Sequence, residues 1–313
     1  MSDDTISWAP VNGKWSCNGN KCTYNGPEDT QHQVGVALSS KKMRNGTISV
    51  KIKLNDPEKD SGRLLFGYNA NSESYFSIGL CGYGYAYLID EFIAGVGWRA
   101  IKSLGSKSNL STSSYQVKVR ICGQLICLTV NGVELIKHQL SHHLSGNQVG
   151  LFGWGPGGVV FEAFQCVGDI SRAFVVMQFA KPYDTLYKEV IKPVCEKCKI
   201  QPLRADDIMQ PGVIINDIVT SIIESDIIIA EISPSNANVF YELGYAHALK
   251  KEVVLLARRG GKLPFDISGY RVIFYDDTIG EKTNVENALE NHLSNILEMD
   301  GCVRRNRTEL ASS

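Results

Sequence analysis

A carboxylate, two amides and an imidazole lie close together along one short stretch of the chain. The residues are Asn236, Asn238, Glu242 and His247. A carboxylate held beside a carbon that is losing electrons can stabilise an oxocarbenium-like state or attack it, which is how glycosidic bonds are cleaved. The flanking sequence supplies a frame for that chemistry. Ile227 to Ile232 is a nearly continuous apolar run, the pattern of a strand buried on both faces. Ser233-Pro234-Ser235-Asn236 breaks it with turn chemistry. Val239 to Leu249 then reads as a helix, with Phe240, Leu243, Gly244 and His247 at i, i+3, i+4, i+7 spacing. With Asn238 as its cap, Glu242 falls in the first turn, where the macrodipole favours an ionised carboxylate. An acidic residue there also serves as a plain dipole partner. A buried strand that empties into a polar loop and a helix N-terminus is where open α/β sheets place ligands.

The elements around this stretch alternate. Ala173 to Met177 reads as a strand, Tyr183 to Cys198 as a helix, Lys199 to Pro202 as a short strand and Gly212 to Glu224 as a helix. After the Glu242 helix come strands at Val253 to Ala257 and Arg271 to Tyr275, then a helix from Val285 to Leu297. Such alternation predicts a parallel sheet covered on both faces, with flavodoxin-like 2-1-3-4-5 order. A crevice beside the first and third strands would collect Gln178, Phe179, Tyr183 and Asp184, then Arg204, Asp206 and Asp207, then the segment from Glu231 through Ser233 and Asn238 to Glu242. A ring for stacking, a cation for phosphate and carboxylates for ribose hydroxyls suit a nucleotide-like substrate. Plainer roles compete. Asp206 and Asp207 can cap the helix before Ile214, Arg204 can form a surface ion pair, and His247 can pack in the core. No GxxxxGK[ST] phosphate loop occurs, and Arg258-Arg259-Gly260-Gly261-Lys262 reads as a solvated loop.

The string Asn236-Ala237-Asn238-Val239-Phe240-Tyr241-Glu242-Leu243-Gly244-Tyr245-Ala246-His247-Ala248-Leu249 resembles a signature of the nucleoside 2-deoxyribosyltransferase-like branch of TIR-like proteins. Phe174-Val175-Val176-Met177-Gln178-Phe179 and Arg204-Ala205-Asp206 extend the similarity over residues 172–298. The resemblance implies Glu242 as the catalytic carboxylate. Gln178, Phe179, Asp184, Arg204, Asp206, Ser233, Asn238 and Tyr241 are then the expected substrate contacts. It implies an NAD hydrolase that needs no cofactor, with NAD as substrate, and assembly into a homo-oligomer on activation. Nicotinamide in NAD is already cationic and departs without protonation, so one carboxylate suffices. Two other readings stay open: a nucleoside 2-deoxyribosyltransferase or deoxynucleotide N-hydrolase, and a non-catalytic module that binds a nucleotide signal.

The first half reads as all-β. Thr47 to Leu54 alternates strictly, and similar runs follow at 63–68, 75–80, 85–90, 115–121, 125–130, 148–154 and 159–166. Asn131-Gly132 between two such runs signals a hairpin. Short strands with Gly-rich turns argue a sandwich. Gly79-Leu80-Cys81-Gly82-Tyr83-Gly84, the Gly97-Trp98-Arg99 turn, Asn131-Gly132-Val133 and Val149-Gly150-Leu151-Phe152-Gly153-Trp154-Gly155 resemble concanavalin-like, laminin-G-like jelly rolls. That likeness implies a carbohydrate surface at Tyr83, Tyr85, Tyr87, Trp98 and Arg99, although alternating tyrosines also simply pack a sandwich. No Glu-x-Asp-x-Glu triad argues for glycan hydrolysis, and no ordered Asp and Asn set argues for calcium or another metal. The expected organisation is a recognition sandwich over 1–168, a catalytic α/β domain over 172–300 and a flexible tail over 301–313. A jelly roll joined to such a domain resembles the sensor-effector fusions of immune defence.

A formal net charge of −1 gives no field to recruit nucleic acid or an anionic membrane. MSDDTISWAP lacks the basic start and apolar core of a signal peptide, and no apolar run approaches the ~20 residues of a membrane span. A cytoplasmic protein is expected. The nine cysteines are an odd number spread over the whole chain, which predicts reduced, mostly buried thiols. Cys195-Glu196-Lys197-Cys198 has CxxC spacing but sits at a helix end, where a thiolate gains nothing.

Overall fold

The computed structural model describes residues 6–27, 34–142, 144, 146–207, 214–233, 236–261, 267, 269–276, 278 and 280–299. The chain divides into two compact units that meet in sequence between Asp169 and Ile170, with Ser141–His143 grouped with the second. The expected 301–313 tail lies outside the described residues.

The first unit is a sandwich of two seven-stranded antiparallel sheets. One sheet runs, in spatial order, Trp8–Asn12, Val34–Lys42, Gln148–Trp154, Ser61–Asn69, Ser74–Gly82, Tyr85–Ile93 and Gly97–Ser106. The other runs Val133–Gln139, Leu125–Val130, Ser114–Cys122, Gly46–Leu54, Val159–Gly168, Lys21–Asn25 and Lys14–Asn18. Alternation sets the faces. Ile48, Val50, Ile52 and Leu54 are fully buried between the sheets, while Lys51 and Lys53 are exposed. Each buried Ile or Leu contributes roughly 1.5–3 kcal/mol. Asn131 and Gly132 turn the 125–139 hairpin at φ 49° and 84°, and the second value comes at no steric cost only to glycine.

Three expectations are corrected in this unit. The Gly97-Trp98-Arg99 segment is not a turn but the start of an edge strand paired with Tyr85–Ile93. Six strands lie outside the expected set, at Trp8–Asn12, Lys14–Asn18, Lys21–Asn25, Val34–Lys42, Gly97–Ser106 and Val133–Gln139, although Lys14–Asn18 and Lys21–Asn25 alternate polar with apolar residues. Finally, Cys17 and Cys22 form a disulfide rather than staying reduced, because the hairpin register sets them directly opposite each other. Cys195 and Cys198 are unpaired, and burial pushes the Cys195 thiol up to about 12.

The second unit holds a five-stranded sheet in the order Ile200–Arg204, Ser171–Val176, Ile227–Glu231, Glu252–Arg258, Val272–Tyr275. All its pairings are parallel, so the strand order is the predicted 2-1-3-4-5. Val175, Ile229 and Leu256 pack one face against Tyr187, Val190 and the helix Lys282–Met299. Phe174, Ile228 and Leu255 pack the other face against the helices Ile214–Glu224 and Ala237–Ala248. The first connection winds as Tyr183–Leu186, a π turn at Tyr187–Ile191, and Lys192–Lys197. Among the described residues, no helix is long and apolar enough to cross a membrane.

Candidate active site

The strand Ile227–Glu231 delivers the chain to the carboxyl edge of the sheet, and Asn236 starts the next helix there. Its backbone is extended, at φ −106° and ψ 118°, and its side chain accepts from the Asn238 N–H at 2.9 Å. The cap is therefore Asn236, not Asn238, and the helix is Ala237–Ala248. This moves Glu242 into the second turn, and no acidic residue occupies the first. The expected stabilisation of its anion by the helix end fails, since that effect fades within one turn. Burial decides its chemistry instead and pushes the carboxyl up to about 7. Among the described residues Glu242 has no hydrogen-bond or ion-pair partner. Such a carboxyl is poised to ionise when a cationic centre comes beside it.

Arg204, expected to offer a cation to phosphate, is 5% exposed, and each of its three guanidinium nitrogens donates to an aspartate. Its Nε donates to Asp206 at 2.5 Å, its Nη2 donates to the same carboxylate, and its Nη1 donates to Asp184 at 2.7 Å. Its guanidinium lies 4.6 Å from the Tyr187 ring centroid and 5.2 Å from that of Phe179. Asp207 completes the cluster by accepting from the Tyr187 hydroxyl at 3.0 Å and the Arg204 N–H at 3.1 Å. Asp184 and Asp206 thus hold an arginine, not free space for ribose hydroxyls. Gln178 and Phe179 lie in the same region, the first half-buried and the second 52% exposed.

The residues expected in the crevice sit on opposite faces of the sheet. Arg204 stands beside Val175 in the ladder and over Tyr187, on one face of the sheet. The Glu242 helix packs against Phe174 and Ile228 on the other. No hydrogen bond or ion pair among the described residues joins the two groups. Asn238 is exposed and Tyr241 is 56% exposed, so both remain open to a ligand beside Glu242.

Ser233 is also corrected. Its hydroxyl is taken up by donating to Glu231 and by accepting from the Arg258 N–H at 2.6 Å. Glu231 is fully buried, and its Oε1 further accepts from the Ser233 N–H at 3.2 Å and the Tyr275 hydroxyl at 3.0 Å. Its Oε2 has no partner among the described residues, and burial raises its carboxyl above the usual range. The sequence signal was an acid closing the run Ile227-Ile228-Ile229-Ala230, where a two-sided buried strand calls for an apolar residue. A cavity of about 400 Å³ lies beside Arg258, Tyr275, Pro182 and Lys282, and Glu242 is not in its wall.

In the sandwich, a cavity of about 440 Å³ is lined by Asp60, Arg63, Tyr83, Trp98, Phe152 and Trp154, among others. Tyr83 and Trp98, two of the residues expected at a ligand surface, lie in its wall. Tyr85 and Arg99 do not, and Arg99 is occupied by an ion pair with Glu91. Trp98 also packs edge-on against Phe152 and Tyr75, with centroids at 5.2 Å and 5.7 Å. Arg63 and Trp154 were not anticipated. Arginine in a strand gives no pattern by itself, and Trp154 was read only as part of a glycine-rich strand. No group of three or more acidic, His or Cys side chains among the described residues could hold a metal ion.

No family model matches the chain. No curated protein matches it. Solved structures do. The carbohydrate binding module CBM66 from Bacillus subtilis is similar at 18% identity and TM-score 0.44, over 51% of this chain and 95% of that one. Sheep galectin-11 is similar at 12% identity and TM-score 0.32, over 41% of this chain and 95% of that one. The CMP N-glycosidase BcmB from Clostridium botulinum is similar at 17% identity and TM-score 0.32, over 39% of this chain and 99% of that one. An all-β sandwich followed by a parallel α/β sheet is the architecture of this chain.

Proposed function

We propose that the α/β unit cleaves the N-glycosidic bond between a ribose and its base, with NAD as substrate and Glu242 as the catalytic carboxylate. One observation carries this reading: a partly buried, unpartnered carboxyl at the carboxyl edge of a parallel sheet, next to the exposed Asn238 and Tyr241. As the C1′–N bond breaks, its electron pair leaves with nicotinamide and positive charge grows on the ribose. The Glu242 anion stabilises that charge, a water oxygen bonds to C1′, and one proton is released. The cationic nicotinamide ribose itself draws the carboxyl into its ionised form. The sandwich acts as a recognition module for a carbohydrate, a reading supported by aromatic and hydrogen-bonding side chains that share one concave cavity. Together they make a sensor and an effector, and assembly of several copies belongs to the same proposal.

The experiment is direct. Purified protein is incubated with NAD, with CMP and with deoxynucleosides, and the released bases are separated by chromatography. Nicotinamide release that disappears in Glu242→Gln supports the proposal. Release from deoxynucleosides alone would reassign the substrate. No base release in the presence or absence of sandwich ligands, at any protein concentration, would leave nucleotide binding without catalysis.

A further inference from the structure

The floor of the sandwich cavity is a charge pair taken out of water. Arg63 is 5% exposed and Asp90 is fully buried, and Arg63 Nη1 donates to Asp90 Oδ2. Nη1 also donates to the Ser77 hydroxyl at 3.2 Å, and Nε donates to the Ser61 hydroxyl at 2.9 Å and the Cys81 carbonyl at 3.1 Å. An arginine has five N–H donors, so this leaves the two on Nη2. They have no partner among the described residues, and Nη2 is not one of the atoms sealed from solvent without a partner. A guanidinium this buried, with two diverging donors left over on one nitrogen, calls for acceptor oxygens in the cavity.

Charge in the wall narrows what those oxygens can be. Glu58, Asp60 and Asp90 oppose Lys59, Arg63 and Lys107, three acids against three bases, so the site carries no net charge. Lys107 pairs with Glu58, Arg63 with Asp90, and Lys59 with Asp56 outside the wall. A carboxylate or phosphate ligand would meet Asp60 and Glu58 with no spare cation, whereas hydroxyls meet no such cost. Around them the wall is flat and apolar: Trp154 and Tyr83 are 40% and 59% exposed, and Phe152 lies under the guanidinium at 4.7 Å. Hydroxyls on one edge and C–H groups on a face describe a sugar ring. A cavity of about 440 Å³ is at the small end of ligand sites, which suits one ring or two.

We propose that this cavity binds a single neutral sugar residue, with Arg63 Nη2 donating to its hydroxyl oxygens and Trp154 covering the ring. It rests on the carbohydrate reading of the sandwich and fixes its place and ligand class. Arg63 itself is a poor test, since truncating it leaves the buried Asp90 without its partner and destabilises the sheet. Gly82→Ala is better. A Cβ there would sit 2.4 Å from Arg63 Nη2, and its backbone needs no unusual φ.

The test titrates the full-length protein by calorimetry with the methyl glycosides of glucose, galactose, mannose and fructose, and with glucuronate and N-acetylneuraminate. At least one neutral glycoside is expected to bind saturably, with a Kd on the order of 1 mM for so small a ligand. Trp154→Ala and Gly82→Ala should each weaken it ~10-fold or more with the thermal midpoint little changed, and Tyr85→Ala and Arg99→Ala should not. Tighter binding of either acid overturns the neutral class. Saturable neutral binding untouched by Trp154→Ala and Gly82→Ala overturns the site and leaves the carbohydrate reading standing. No saturable binding of any of the six overturns both.

Discussion

The hydroxyl of Tyr275 donates to Oε1 of Glu231 at 3.0 Å, and the other oxygen of that buried carboxyl has no partner among the described residues. The last strand of the parallel sheet is thereby tied to the exit of the central one, two residues before Ser233 and five before the cap Asn236. Burial pushes a carboxyl so placed toward its neutral form. Glu231→Gln should therefore be tolerated to within about 1 kcal/mol. Tyr275→Phe should cost about 1–2 kcal/mol by leaving Oε1 less satisfied. Urea denaturation of both variants checks this, and a large loss in Glu231→Gln would mean that the group is ionised in the native state.

Glu242→Gln keeps size and removes charge. Base release is expected to fall by at least ~10²-fold, about 3 kcal/mol of transition-state stabilisation, with unchanged circular dichroism. Equal turnover in the variant would remove Glu242 from the chemistry.

The raised Glu242 carboxyl sets two pH dependences. The ionised form is the active one, so kcat/KM should climb through about pH 7 and level off above it. Stability runs the opposite way. A carboxyl whose folded value exceeds its unfolded one favours the fold below the unfolded value, and that contribution is lost as pH rises through about 7. Glu242→Gln should then match the parent near pH 4 and exceed it at pH 8 by roughly 1–2 kcal/mol, a figure reduced for partial solvent access. Denaturation curves at the two pH values decide.

Arg204→Leu leaves Asp184 and Asp206 without their shared cation. A loss of roughly 3 kcal/mol in stability is expected, since removing one partner of a desolvated pair costs more than the pair contributes. Arg204→Leu that keeps its urea midpoint but raises KM for NAD would instead return the guanidinium to substrate binding.

The two units should fold apart. Expression of residues 1–169 and 170–313 separately should give two soluble, cooperatively melting pieces, because each has its own buried clusters. Aggregation of either piece would show that it needs the other.

Much of the fold was legible because period and punctuation are local. Thr47 to Leu54, Asn131-Gly132 and Ile227 to Ile232 each name their element from a few neighbouring residues, and the alternation of strand and helix gave the sheet order. What escaped depends on distant partners. Nothing next to Arg204 says that Asp184 will cross from the preceding connection to bind it, and nothing next to Cys17 fixes the register that meets Cys22. The cap was misplaced by two residues because Asn236 and Asn238 are equally good caps in sequence, and only the extended backbone of Asn236 separates them. That small shift took Glu242 from dipole-stabilised to desolvated.

The burial of Arg63 beneath the sandwich cavity has a consequence for ionic strength. Mobile ions screen exposed charges over a Debye length of ~10 Å at 0.1 M, but they do not enter a cavity floor whose own charges are already paired. Whatever the cavity holds should be held equally in dilute buffer and in strong brine. A ligand that depended on the exposed Arg99 guanidinium would be shed as salt rises.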